Sequence, residues 1–274
     1  MSFSVRDARV IAEILRDAAQ AEILPRFRSI DNVVREKASR LDLVTDADEA
    51  AEAHIHRALG RAFPGARIVG EEACARDPSL VEGLASADCA IVVDPIDGTK
   101  NYAAGLPLFG VMAAVVQNGI TVGGMIHDPI VDDWALAVRG EGAWLERTDG
   151  TQVDLRVSTP RVPREMLGIV SWLFMAEPLR STVTRNLPRV GVAVDYRTAA
   201  HEYRLIAGGH YDFVMFGKMA PWDHLAGCLL HREAGGFSAC LDGEPYTPST
   251  RIDAGLLCAP DRASWTALHD ALLR

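Results

Sequence analysis

The sequence has few cysteines and no long apolar run, and each absence argues against a class of protein. Its five cysteines are scattered along 274 residues, and none belongs to a Cys-x-x-Cys pair. An odd number without paired spacing argues against a disulfide framework and a zinc site, and it favours a reducing, cytoplasmic location. No apolar run approaches the roughly 18 residues of a transmembrane helix, so we expect no membrane span.

Positive charge is also scarce. The chain has 28 lysine and arginine residues against 37 acidic ones, so its formal net charge is −9, and no polybasic cluster occurs. A nucleic acid or a membrane surface is therefore not an expected partner. Charged residues between Arg6 and Glu13 interrupt the apolar region that a signal peptide would need, so we expect no signal peptide.

The order of the predicted elements changes near residue 150. Before it, a helix over Val5–Leu24 and a loop or irregular hairpin over 32–43 precede a second helix. Strand-like segments follow, and Asn118-Gly119 predicts a hairpin turn between two of them. Strands and helices alternate in the second half, and no linker separates the halves. We expect layered sheets and helices in one domain over residues 1–274, with approximate halves 1–150 and 151–274.

The most informative stretch reads Asp94-Pro95-Ile96-Asp97-Gly98-Thr99-Lys100-Asn101-Tyr102 and follows an apolar segment, Ala90–Val93, that predicts a buried strand. Pro95 has no N–H to donate, so we expect it to end the strand ladder. A turn here would direct both aspartates into one pocket. Gly98 and Thr99 are suited to bringing backbone N–H groups close to an anion. The alternative is an ordinary acidic turn.

Other acidic residues follow a predicted strand or open a predicted helix. Glu71 and Glu72 come after a short strand and Gly70, where a solvated loop is the ordinary explanation. Asp223 lies at a predicted helix start, where the helix dipole favours a carboxylate. Asp48 is spaced to form a capping box with Thr45.

Taken together, Glu71, Asp94, Asp97 and Asp223 supply four hard oxygen ligands beside the Gly98-Thr99 amides. Such a set matches two Mg²⁺ ions about 3.5–4 Å apart, which promote phosphoryl displacement. A metal lowers the pKa of a bound water, so no histidine base is required, and none of the eight histidines is assigned a role.

Four segments in this order resemble the inositol monophosphatase family. This family belongs to the Mg²⁺-dependent, lithium-sensitive phosphatases, together with fructose-1,6-bisphosphatases and bisphosphate nucleotidases. The matching segments cover most of the chain: Asp42-Leu43-Val44-Thr45 with Asp48, Gly70-Glu71-Glu72, Asp94-Pro95-Ile96-Asp97-Gly98-Thr99, and Pro221-Trp222-Asp223 with Ala226-Gly227. The resemblance implies an α+β fold, layered as an αβαβα sandwich, and a homodimer.

The resemblance also implies roles for individual residues. Two or three Mg²⁺ ions would be bound by Glu71, Asp94, the carbonyl oxygen of Ile96, Asp97 and Asp223. Phosphate and substrate would contact Asp97, Gly98, Thr99, Ala199 and Asp223. Glu71, Asp48 and Thr99 would position and activate the attacking water, with support from Lys37, Glu72 and Trp222. Hydrolysis would proceed by in-line attack of a metal-activated water, without a covalent phosphoenzyme.

The substrate is less well determined by the resemblance. The animal enzymes have a glutamate before Trp-Asp that binds inositol hydroxyls, whereas this chain has Met215 or Phe216 there. Loss of such an acceptor can change discrimination by on the order of 10⁴. Lys218 would suit a second negative group if it faced the pocket, although a solvated turn lysine is the preferred interpretation. Lys100 follows the Gly98-Thr99 pair, and it resembles the nucleotidase and histidinol-phosphatase branches of the family, where lysine or arginine is frequent at this position.

Three hypotheses therefore remain. The first is a phosphatase for inositol 1-phosphate or a related polyol phosphate. The second is a phosphatase for histidinol phosphate or a 3′(2′),5′-bisphosphate nucleotide. The third is a regulatory protein of the same fold that acts through protein partners.

Overall fold

The computed structural model describes residues 3–29, 33–39 and 42–274. The helices in these ranges are α1 Val5–Ala18, α2 Asp46–Ala62, α3 Glu71–Arg76, α4 Thr99–Ala103, α5 Leu179–Asn186, α6 Ala199–Ala207, α7 Pro221–Glu233 and α8 Arg262–Leu273. The strands are β1 Val34–Ser39, β2 Asp42–Thr45, β3 Arg67–Gly70, β4 Ala90–Asp97, β5 Gly110–Gln117, β6 Ile120–Asp128, β7 Asp133–Val138, β8 Gly142–Arg147, β9 Gln152–Asp154, β10 Leu167–Val170, β11 Val192–Val194, β12 Phe213–Phe216, β13 Phe237–Cys240 and β14 Leu256–Ala259.

The strands form two large sheets and one hairpin. The first sheet has seven strands in the order β3-β4-β5-β6-β7-β8-β9, and only its β3–β4 pair is parallel. The second has five strands in the order β11-β10-β12-β14-β13. Its β10 pairs in parallel with β11 and β12, while β14 runs antiparallel to both its neighbours. Strands β1 and β2 form the separate hairpin.

Three apolar cores alternate with the sheets. Along β4, Ile91 and Val93 join a core with α1 and α2, whereas Ala90 and Val92 join the core on the opposite face. This alternation has the period of two that a strand buried on both faces requires. The second core contains α6 and α7 and extends to the second sheet, whose far face is covered by α5 and α8. The predicted αβαβα sandwich is thereby confirmed.

Some local predictions need correction. Strand β4 does not end at Pro95 but continues to Asp97, which pairs with Gly110. The pairing is irregular between Asp94 and Asp97, so the missing N–H of Pro95 falls where the regular ladder is interrupted. The first helix was predicted to reach Leu24, but its α-helical part ends at Ala18. A π-helical turn over Ala19–Ile23 and a 3₁₀ turn over Leu24–Arg26 follow it. Strand β9 was not predicted.

The segment over 32–43 was predicted as a loop or an irregular hairpin. Its described part is the β1–β2 hairpin, whose register shifts between Glu36 and Ser39. Asn32, Arg40 and Leu41 lie outside the described residues. Among the helices that the structure describes, none combines the length and apolar composition needed to cross a membrane.

Helix α7 packs unusually close to its neighbours. A Cβ on Gly227 would lie 2.0 Å from Cδ2 of the Tyr203 ring, and a Cβ on Gly124 of β6 would lie 2.7 Å from the carbonyl oxygen of Ala226. Both glycines therefore permit an approach that any larger residue would block. Because Asp223 lies in the first turn of α7, this packing fixes the position of Asp223 relative to the first sheet.

We expect Gly227→Ala to lower the free energy of unfolding by about 1–3 kcal/mol, since the added methyl group overpacks a closed contact. Tyr203 cannot easily move away, because it is fully buried and its hydroxyl contacts His224. Gly60→Ala in α2 is the matched control, because its nearest atom would be 3.9 Å away. This control should raise the free energy of unfolding by about 0.5–1 kcal/mol. Urea unfolding of both variants measures the difference, and equal effects would refute the packing constraint.

Candidate active site

Three carboxylates from distant parts of the chain meet at one point. Asp94 and Asp97 lie at the end of β4, and Asp223 lies in the first turn of α7. Each offers an oxygen atom within 4.8 Å of the oxygens of the other two. Asp94 is 2% exposed and Asp97 is 7% exposed. The structure thus brings together three of the predicted metal ligands. Among the residues that the structure describes, no histidine belongs to this group.

Their negative charges are poorly compensated by protein groups. Burial raises the pKa of Asp94 and of Asp223 well above the usual range, and the charge of Glu71 adds to both shifts. Burial raises the pKa of Asp97 to about 6, although hydrogen bonds from Thr198 and Ala200 oppose the rise. Asp94 Oδ1 is buried and has no hydrogen-bond partner among the described residues. A hard divalent cation fits this set, because it would satisfy the unpaired oxygen and offset the repulsion.

Glu71 and Glu72 open α3, directly after β3. Lys37 Nζ on β1 donates to Glu71 Oε1 over 2.8 Å and to Glu72 Oε1 over 2.6 Å. Burial lowers the pKa of Lys37, but Glu71 and Glu72 outweigh this effect and raise it above its usual value. Burial and the charge of Glu71 raise the pKa of Glu72 to about 8. A solvated loop is therefore the wrong explanation for Glu72, which is 3% exposed.

Asp48 both caps helix α2 and contacts Thr99. Its Oδ2 accepts hydrogen bonds from the backbone N–H and the hydroxyl of Thr45, which completes the predicted capping box of α2. Its Oδ1 lies 3.1 Å from Thr99 Oγ1, which also lies 3.0 Å from the carbonyl oxygen of Ile96. Burial raises the pKa of Asp48 to about 7. One residue thus caps a helix and contacts the threonine of the central motif.

Gly98 is required at the turn from β4 into α4. Its φ is +88°, and a Cβ there would lie 3.0 Å from both the carbonyl oxygen of Leu108 and the Cβ of Thr198. A side chain at this position would be strained and crowded, so the glycine keeps the backbone open beside Thr99. Trp222, the neighbour of Asp223, packs against the central core.

A cavity of about 150 Å³ opens at this cluster. It is lined by several predicted residues, namely Glu71, Asp97, Gly98, Thr99, Ala199 and Asp223. Lys218 also lines it, and because this residue is exposed, the preferred interpretation as a solvated lysine remains compatible with its position. Phe216 lines it as well, and Met215 is fully buried in the core beyond the second sheet, so the wall has an aromatic side chain near the expected place of the family's glutamate.

Further residues of the wall were not predicted, among them Ser171, Phe174, Arg197, Glu202 and His224. Arg197 and Glu202 lie two residues before and three residues after Ala199, the residue that the resemblance assigns to the substrate, and this closeness in sequence is the one signal that points to them. Ser171 and Phe174 lie around a short 3₁₀ turn that carries no motif.

Comparison with known proteins agrees with this geometry. The family model described as "Inositol monophosphatase family" matches residues 2–274. The chain belongs to the inositol monophosphatase family. It is 30% identical to an inositol-1-monophosphatase of Bacillus subtilis over 78% of both chains. It is also 31% identical to a histidinol-phosphatase of Mycobacterium tuberculosis, over 92% of this chain and 95% of the relative.

A solved structure supports the same assignment. The extragenic suppressor protein suhB of Bartonella henselae superposes with a TM-score of 0.81 and 26% identity, over 96% of this chain and 97% of that one. Membership in the inositol monophosphatase family makes this chain a phosphomonoester hydrolase. The acidic cluster is consistent with the metal dependence of that family.

The raised pKa values predict how stability depends on pH. A carboxyl group whose pKa is higher in the folded than in the unfolded protein loses its stabilising contribution as pH rises through the folded value. For Asp97 this window runs from its ordinary value of 3.8 to about 6, and the raised pKa values of Asp94 and Asp223 extend the window upward. Without divalent metal, we therefore expect the melting temperature to fall as the pH rises from about 4 through about 6 and above.

Saturating Mg²⁺ should reduce this fall, because cations favour the ionised carboxylates. Asp223→Asn should flatten the profile and lose the stabilisation by Mg²⁺. Asp154→Asn is the control, since this side chain is 77% exposed. Thermal scans with EDTA and with Mg²⁺ test the expectation, and a profile in Asp223→Asn identical to that of the unaltered protein would contradict it.

Lys37 should influence the affinity for metal. A fixed positive charge about 4 Å from a carboxylate is worth about 1 kcal/mol even in a water-like dielectric, or roughly a factor of 5 in binding. We therefore expect Lys37→Met to lower the half-saturating Mg²⁺ concentration by about that factor, as measured by calorimetry. Arg35→Met on the same strand is the control, because Arg35 pairs with Asp46 and Glu49. An unchanged titration in Lys37→Met would place Lys37 outside the site.

Proposed function

We propose that this protein is a Mg²⁺-dependent phosphomonoesterase that hydrolyses a small phosphorylated metabolite by direct in-line attack of water. Inositol 1-phosphate or a related polyol phosphate is the first substrate class. The observation that supports this proposal best is the meeting of Asp94, Asp97 and Asp223 beside the Gly98-Thr99 turn, where Asp97 and Asp223 line one cavity.

The ligand assignments follow the acidic cluster. Asp94, Asp97, Asp223, Glu71 and the carbonyl oxygen of Ile96 would hold two or three ions. When bound, Mg²⁺ neutralises charge on the reacting phosphoryl group and lowers the pKa of a coordinated water towards neutrality. Gly98, Thr99 and Ala199 would contact the phosphate and the substrate.

Thr99 and Asp48 are proposed to orient the attacking water and accept its proton. When Thr99 Oγ1 donates to Asp48 Oδ1, its lone pairs remain available to accept a hydrogen bond from water. A carboxyl group with a pKa near 7 is well suited to exchange a proton at neutral pH, which is the value that burial gives Asp48. Glu71 would assist, and Lys37, Glu72 and Trp222 would support the arrangement.

The second candidate is a phosphatase for histidinol phosphate or for a 3′(2′),5′-bisphosphate nucleotide. The similarity to a histidinol-phosphatase and the position of Lys218 at the cavity support it. A purely regulatory role is less favoured, because clustered buried carboxylates destabilise a protein that has no cation to bind. The family resemblance also supports a cytoplasmic homodimer with a single catalytic domain.

Phosphate release tests the proposal. We expect turnover that requires Mg²⁺ and is abolished by EDTA and inhibited by Li⁺, across a panel of inositol 1-phosphate, histidinol phosphate, adenosine 3′,5′-bisphosphate and fructose 1,6-bisphosphate. Asp97→Asn should lower kcat/KM by about 10²–10⁴-fold, since it removes several kcal/mol of charge stabilisation.

Folding should be largely retained in Asp97→Asn, because an amide oxygen can still accept hydrogen bonds from Thr198 and Ala200. Exposed Asp253 supplies the control, Asp253→Asn, which should keep full activity. Near-normal turnover by Asp97→Asn at low Mg²⁺ would disprove the site assignment.

A further inference from the structure

The lysine residues of this chain are concentrated at the cavity. Only three of the 28 basic residues are lysines, and all three lie at the site. Lys37 is bound by Glu71 and Glu72, whereas Lys100 and Lys218 line the cavity together with Arg197. An acidic protein thus places cationic side chains around the cavity that Asp97 and Asp223 also line.

Arg197 is held by a rigid, neutral partner. Its Nη2 donates to Asn101 Oδ1 over 3.0 Å, and Asn101 is 1% exposed. The amide nitrogen of Asn101 is fixed in turn by the carbonyl oxygens of Leu108 and Tyr196, at 3.0 and 2.8 Å. In the described ranges, no carboxylate oxygen lies within the 4.0 Å of an ion pair from Arg197 or Lys218. The charges of Arg197 and Lys218 are therefore not neutralised by a direct ion pair.

The backbone at Arg197, like its side chain, is held by a hydrogen bond to a neighbouring side chain. Its φ is +56°, a conformation that few residues other than glycine adopt, and its N–H donates to Asp195 Oδ1 over 2.9 Å. The following Thr198 donates through Oγ1 to Asp97 Oδ2, and the preceding Tyr196 donates through its N–H to buried Glu202. The segment that carries Arg197 is thus tied to a member of the carboxylate cluster.

We propose that Arg197 and Lys218 form a subsite for a second anionic group, a phosphate or a carboxylate, on the substrate. This inference rests on the proposed function, in which the carboxylate cluster and its cations bind the reacting phosphoryl group. Cations that lack a carboxylate partner attract an anion from solution, and the guanidinium group forms strong, directional hydrogen bonds to phosphate and carboxylate oxygens. The side chain of Phe216, near the expected place of the family's glutamate, itself offers no hydrogen-bond acceptor.

Matched substrates test the subsite. Glycerol 3-phosphate and 3-phosphoglycerate differ only in a terminal carboxylate, and inositol 1-phosphate and inositol 1,4-bisphosphate differ only in a second phosphate. We expect kcat/KM to be higher for the doubly anionic member of at least one pair, by about 10- to 100-fold, as for a charged hydrogen bond. Comparison of the two pairs shows whether the second group is a carboxylate or a phosphate. The preference should weaken as ionic strength rises.

Substitutions then assign the preference to residues. Arg197→Asn keeps a residue that tolerates positive φ, and Lys218→Gln removes the second charge. Each should reduce the preference by about 10-fold, mainly through the doubly anionic substrate. Arg156→Gln is the control and should leave both pairs unchanged, because Arg156 is 67% exposed outside the cavity.

A binding measurement separates this inference from the proposed function. Calorimetry with butylphosphonate and 4-phosphonobutyrate, which differ in a terminal carboxylate, should show tighter binding of the carboxylate and loss of that difference in Arg197→Asn. Hydrolysis of all esters without any preference would overturn the subsite and leave the phosphatase intact. Equal losses for both members of a pair would also overturn it, because Arg197 and Lys218 would then bind the reacting phosphoryl group. If no ester is hydrolysed, the proposed function fails, and phosphonate binding alone decides on the subsite.

Discussion

Electrostatic repulsion among three clustered carboxylates, two of them buried, is the constraint on which the site depends. Asp94, Asp97 and Asp223 offer oxygens within 4.8 Å of one another, in surroundings that disfavour their ionised forms. Folding must overcome this repulsion before any cation is bound, and the large apolar cores on both faces of the first sheet supply the necessary free energy. The apolar cores therefore offset the local destabilisation by the acidic cluster, and this destabilised cluster is suited to binding cations.

Hydrogen bonds and close packing connect the two halves of the chain at the carboxylate cluster. Asp97 belongs to the first sheet, yet its Oδ2 accepts hydrogen bonds from Thr198 and from the N–H of Ala200 at the start of α6. Asp223 arrives on α7, which the small residues Gly124 and Gly227 allow to lie against its neighbours. A change in the packing of either helix would thus reach Asp97 or Asp223 directly, without passing through a flexible loop.

Much of this organisation could be predicted from short-range features of the sequence. Turn and capping signals located Asp48, Glu71 and Asp97, because those residues occupy strand ends and helix starts that have local signatures. The course of β4 through Pro95 could not be predicted, since it depends on an irregular pairing with β5. Arg197 was missed because a positive φ outside glycine depends on tertiary contacts, here those with Asp195 and Asn101. The same limitation applies to the wall formed around Ser171 and Phe174.

The absence of lysine from the rest of the sequence has a consequence for covalent chemistry. Arginine carries the positive charge on the rest of the surface, and its guanidinium group stays protonated and unreactive towards acylating reagents. A reagent selective for primary amines therefore meets, apart from the α-amino group, only the three side chains around the cavity. Lys37 should react least, because its pKa is raised and its ammonium group is held by Glu71 and Glu72. Labelling chemistry that is indiscriminate on most proteins would here be directed to the neighbourhood of the active site.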